Sequence, residues 1–164
     1  MITVGTPAPD LDLIDTSGER LRLLDAVGER GLVVFFMRTT TCPICNAHVR
    51  DLVARADEFA DRGIAVLVVV PEGRDEAASW ASRRGIPLTV VTGGSASAHE
   101  QVGLTRRVFG SMQQSGTLLL DAAGVVRYAQ SSTLPTGSYD RVAVARAVDE
   151  LVAAVERPAR GRPV

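Results

Sequence analysis

The chain has 164 residues, 46% of them apolar, with 18 basic against 19 acidic side chains and a net charge of -1. A chain of this length and apolar content can bury its core as one domain without disulfide staples. The near-neutral balance gives no electrostatic reason to expect nucleic acid or an anionic membrane as partner.

All 18 basic residues are Arg and none is Lys, a compositional bias rather than a binding feature. Met1-Ile2-Thr3-Val4 is not a basic stretch leading into an apolar run. The longest apolar run, residues 64–70, is far short of the roughly 18 residues that a membrane span needs, so a cytoplasmic protein is expected.

In chain order, residues 32–37 form the first nearly continuous apolar run, rich in Val and Phe, as a strand covered on both faces tends to be. Residues 43–62 follow, long enough for the helical crossover that parallel strands require. A second buried strand is expected over 64–70, a helix over 75–84, and strands over 88–91 and 117–120. Asp121-Ala122-Ala123-Gly124 then turns residues 118–120 back onto 125–128 as a tight antiparallel hairpin.

A last helix is expected over 139–155, entered through Gly137 with Ser138 as its cap. This rhythm predicts an α/β fold, a central mixed sheet flanked by helices. Residues 1–156 form one domain and the Pro-, Gly- and Arg-rich stretch 157–164 a flexible tail.

The chain has two cysteines, in Thr39-Thr40-Thr41-Cys42-Pro43-Ile44-Cys45. The motif sits after a buried strand and at the first turn of a helix, with Pro43 just inside the helix start. Unpaired amides and the helix dipole there stabilise an anion, so a cysteine at that place can have its pKa lowered from about 8.5 toward neutrality. Cys42 is therefore the expected nucleophile.

A helical wheel puts Val49, Leu52, Val53, Ala56, Phe59 and Ala60 on one face, with Cys45 near its middle. A buried Cys45, one turn inside Cys42, is placed to close a disulfide onto its neighbour and becomes the expected resolving cysteine. Packing of two thiols as small hydrophobes explains the spacing less well. A zinc site would have to draw on His48 and His99, the only imidazoles, so no metal and no cofactor beyond a Cys42–Cys45 disulfide is expected. His48 reads as a half-exposed helix histidine and Trp80 as packing against the sheet. Arg38 could steady the thiolate through its charge or form a surface ion pair.

From Gly5 to about residue 155 the chain resembles the redoxin group, the alkyl hydroperoxide reductase and thiol-specific antioxidant (peroxiredoxin) family. The resemblance rests on Gly5-Thr6-Pro7-Ala8-Pro9-Asp10-Leu11-Asp12-Leu13, with Asp15, Gly18 and Leu23 beyond. It rests also on Phe35-Phe36-Met37-Arg38-Thr39-Thr40-Thr41-Cys42-Pro43-Ile44-Cys45, which is similar to the Cys-Pro-x-Cys branch. It implies a thioredoxin-like fold, a redox-active disulfide, peroxide or disulfide substrates and an external thiol reductant, a thioredoxin or a low-molecular-weight thiol. It also implies association, here into a homodimer.

Cys42 matches the family's peroxidatic cysteine, and Thr39 the threonine whose hydroxyl helps hold thiolate and peroxide. Two positions depart from the pattern. The family's proline seven residues before the cysteine is Phe35, and the arginine that opens the strand at 117–120 is Ser115. Arg38, Arg106 or Arg107 is the candidate to supply that missing charge. A thioredoxin pattern fits no better, since its tryptophan before the first cysteine is Thr41 and its late proline is Gly116.

Three functions follow. The first is a thiol peroxidase with a Cys42 sulfenic acid resolved by Cys45. The second is a disulfide reductase or redox relay on the same thiols, and the third a redox-sensing or interaction domain.

Overall fold

The computed structural model describes residues 1–107 and 112–157. Seven strands form one sheet in the order β2-β1-β5-β4-β3-β8-β9. They are β1 (Asp12–Asp15), β2 (Arg20–Arg22), β3 (Gly31–Phe36), β4 (Ile64–Val69), β5 (Thr89–Gly93), β8 (Ser115–Asp121) and β9 (Val126–Ser132). The short strands β6 (Arg106–Arg107) and β7 (Met112–Gln113) pair with each other. Strands β3, β4 and β5 are parallel, while β1 on β5 and β8 on β3 are antiparallel, so the sheet is mixed.

Buried strands need apolar side chains on both faces, and β3 has them. Val33, Phe35 and Met37 point into one cluster with Val49, Leu52, Trp80 and Val148. Leu32, Val34 and Phe36 point into a second with Leu11, Leu23, Leu118 and Leu120.

Helices α1 (Pro43–Ala54), α2 (Ala56–Asp61), α3 (Arg74–Arg84) and α5 (Arg141–Glu156) contribute to the first cluster. The amino-terminal segment and the single turn of α4 (Ala98–Gln101) cover the second. No described helix is long and apolar enough to cross a membrane.

The expected strands and the hairpin at 121–124 are present. Asp121 Oδ1 accepts from the Ala123 and Val125 amides across that turn, and Gly124 adopts the positive φ it requires. Three details differ from the sequence reading.

The crossover is two helices, broken at Arg55, whose guanidinium lies 4.7 Å from the Phe59 ring centre and hydrogen-bonds Tyr139. Beyond that break Ala60 is exposed and does not join the apolar face. The last helix is capped by Asp140, which accepts from the Val142 and Ala143 amides; Ser138 is buried two residues earlier, its hydroxyl spent on the Pro135 carbonyl. The tail from residue 158 onward lies outside the described residues.

Candidate active site

Strand β3 ends at Phe36, and residues 37–41 carry the chain over the edge of the sheet to α1. Cys42 is the N-cap of α1 with extended backbone, and its Sγ accepts from the Cys45 amide at 3.3 Å. Negative charge on sulfur is best tolerated at such a place, where helix amides have no carbonyl partner. Pro43 occupies the first helical position, where its missing N–H costs nothing.

Cys42 keeps 8% of its surface exposed, whereas Cys45 is fully enclosed. Burial pushes the Cys45 thiol up to about 12, and the adjacent Cys42 sulfur adds to that effect; amides of Arg38 and Thr39 pull in the other direction. Cys45 is therefore a thiol at neutral pH. Both cysteines are reduced and unbridged.

Three polar side chains hold the loop. Asn46 Nδ2 donates to the carbonyls of Thr40 and Cys42, both at 2.8 Å, and its Oδ1 accepts from Trp80 Nε1 at 2.9 Å. Glu72 Oε1 accepts from Thr39 Oγ1 at 2.6 Å, from the Thr40 amide at 2.8 Å and from Thr40 Oγ1 at 3.2 Å. His99, buried on the opposite side of the sheet, meets the Met37 carbonyl through Nε2 at 2.7 Å. A carbonyl only accepts, so the proton sits on Nε2. Burial holds the His99 pKa down at about 4 against a partly opposing pull from that carbonyl, and the ring is neutral at pH 7.

Thr39 and Arg38 lie where the sequence put them, on the loop ahead of Cys42, and both line a cavity of about 370 Å³ with Glu72 and Arg106. The Arg38 guanidinium makes no ion pair among the described residues. The Arg107 side chain lies outside them. His48 is turned away into other contacts: Nε2 meets the Pro135 carbonyl at 3.1 Å, and its ring packs on Phe35 and Tyr139.

Phe35 sits mid-strand between Val68 and Thr117, fully buried. Ser115 opens β8 as expected, buried, with no partner for its hydroxyl among the described residues. Asn46 and Glu72 were not singled out from the sequence. Their only local signals are a polar residue beside Cys45 on the apolar face, and an acid directly after the strand-ending Pro71.

The AhpC/TSA family model matches residues 4–129. The chain belongs to the AhpC/TSA family. Among curated relatives, 1-Cys peroxiredoxin B of Oryza sativa subsp. japonica is 33% identical over 40% of this chain and 30% of its own length. Peroxiredoxin Bcp of Escherichia coli (strain K12) is 27% identical over 63% of this chain and 65% of its own length. These matches thus span from about a third to just under two thirds of the relatives.

The solved structure of peroxidoxin BcpB from Mycobacterium tuberculosis superposes with a TM-score of 0.77 at 19% identity, covering 96% of this chain and all of that one. At that identity the likeness establishes the fold. This AhpC/TSA chain is an α/β protein of the thioredoxin-like type, as its sequence led one to expect.

Proposed function

We propose that this AhpC/TSA protein is a thiol peroxidase that reduces hydrogen peroxide or organic hydroperoxides with Cys42 as nucleophile and Cys45 as resolving thiol. The observation that carries the proposal is the difference between the two sulfurs. Cys42 reaches the surface at a helix N-terminus with an amide donating to it, and Cys45 waits beneath it as a buried thiol.

The Cys42 thiolate attacks the terminal peroxide oxygen and the O–O bond breaks, giving a sulfenic acid and, after protonation of the leaving oxygen, water or an alcohol. The Cys45 sulfur then displaces that hydroxyl group, which leaves as water with the Cys45 proton, and a disulfide forms. Two equivalents of an external thiol restore both cysteines and depart as their own disulfide.

Arg38 can meet the charge that develops on the peroxide oxygens. Thr39 can act only as an acceptor for the hydroperoxide O–H, because its one hydroxyl proton is committed to Glu72. The partners of this reading are a peroxide and a small thiol or thioredoxin-type reductant.

A stopped-flow comparison of peroxide and a protein disulfide, each mixed with the pre-reduced protein, tests the reading. Reaction of Cys42 with peroxide faster than that of a free thiol at matched pH is expected; a rate no faster would refute it. The second reading, reduction of a protein disulfide on the same two thiols, is favoured by Ile44, an exposed apolar side chain between the cysteines that a protein substrate could cover.

A further inference from the structure

Arg20, Arg30, Arg62 and Arg127 each have a carboxylate oxygen within 2.9 Å. Arg50, Arg83 and Arg84 belong to the arginines that make no ion pair among the described residues, and what sets them apart is that they come together in one place. These three line one cavity of about 690 Å³, facing a single carboxylate there, Glu76. Arg83 and Arg84 close the last turn of α3, where the helix dipole by itself favours cations. Arg50 lies within α1 and has no such reason to be there.

The same cavity reaches the catalytic loop. Thr40, Thr41 and Asn46 form its near wall, and Trp80 and Ile86 add apolar surface. Asn46 and Arg50 are four residues apart and so share one side of α1. Hydrogen peroxide, close in size to a water with its share of about 30 Å³ of liquid, would leave nearly all of this space empty. A volume of this order suits an organic ligand.

We propose that this cavity is a subsite for a small organic molecule bearing carboxylate groups, whose reactive end reaches Cys42. The inference rests on the thiol-peroxidase reading and names its substrate class. Guanidinium forks bind carboxylates in a bidentate manner that neutral molecules cannot match. Two reactants could bring this chemistry, an organic hydroperoxide or the reducing thiol, and the experiment separates them.

Trp80 is the only tryptophan and lines the cavity, so its fluorescence reports occupancy independently of turnover. Titration of the reduced full chain with octanoate should give a saturable change that octanol does not. Binding should weaken by about tenfold in an Arg83→Glu/Arg84→Glu protein and in Arg50→Glu. Melting curves check that these exposed substitutions leave the fold intact.

In the kinetic arms, the quantity read is a ratio of rate constants. For oxidation it is a hydroperoxy fatty acid over tert-butyl hydroperoxide, and for reduction it is mercaptosuccinate over mercaptoethanol. A fall of about tenfold in the first ratio identifies the hydroperoxide as the anionic ligand, and the same fall in the second identifies the thiol. Both ratios unchanged, or octanoate binding equally well to the charge-reversed proteins, overturns the subsite. Failure of the peroxidase reading looks different: Cys42 then reacts with no hydroperoxide, while the octanoate titration still depends on the arginines.

Discussion

Cys42 and Cys45 are one helical turn apart, yet they occupy opposite electrostatic surroundings. At Cys42 the helix start offers an amide donor and an opening to solvent. At Cys45 enclosure dominates, and the thiol is pushed up to about 12 despite amides directed at it. The comparison teaches that amides directed at a sulfur do not by themselves keep its pKa down: where the sulfur is enclosed, desolvation outweighs them. Cys45 lies three residues beyond Cys42, and that step into the helix is enough to enclose it.

The largest expected effect separates the two sulfurs directly. Cys42→Ser should consume no peroxide at all. Cys45→Ser should consume one equivalent and stall with a sulfenic acid on Cys42, visible as a gain of one oxygen in the intact mass. Recycling that persisted in Cys45→Ser at the wild-type rate would remove the resolving role and leave Cys42 as the only essential thiol.

A second prediction concerns the support of the loop from the far side of the sheet. His99 has its folded pKa lowered to about 4 from 6.5. Between those values the unfolded chain binds the proton and the folded chain does not, so the stability linked to a neutral His99 is fully present above pH 6.5 and is lost as pH falls toward 4. The loss is about 3 kcal/mol across that window. Urea titrations at pH 7 and at pH 4.5 should show it, and His99→Gln should flatten that part of the profile. An equally steep profile in the variant would assign the acid sensitivity elsewhere.

Next comes the polar clamp beneath Cys42. Asn46→Ala leaves the Trp80 indole N–H without its buried acceptor and frees the carbonyls of Thr40 and Cys42. The expected cost is about 2 kcal/mol, together with slower oxidation of Cys42. In an Asn46→Ala/Trp80→Phe cycle the two changes should add to less than the sum of the singles, because they share one bond. Strict additivity would show that Asn46 acts without Trp80.

These residues also mark where the sequence could and could not be read. The buried strands β3, β4 and β8 were legible because continuous apolar runs leave few alternatives, and the cysteines because strand, Pro43 and spacing all pointed to one junction. Glu72 and Trp80 bind their partners at 32 to 34 residues' separation, so no local pattern announces them. The hairpin of β1 and β2 escaped reading by its pattern because β2 is three residues long with both of its arginines exposed. Ser138 and Asp140 are both capping residues in composition. Only the fold decides between them, by burying Ser138 against Pro135 and Thr117 and leaving Asp140 at the surface.

The smallest effect is expected at Ser115, and it bears on how far the comparison between the sulfurs extends across the sheet. Ser115 opens β8 and its hydroxyl is buried without a partner among the described residues. A polar group in that state has already lost its water, so removing it costs no hydrogen bond. Ser115→Ala should change stability by less than about 1 kcal/mol, toward greater stability, with the rate of Cys42 oxidation unaltered. A slower oxidation in Ser115→Ala, at unchanged stability, would mean that the hydroxyl finds its partner in the bound peroxide. Ser115 would then take up part of the work that the family resemblance assigns to an arginine at this position.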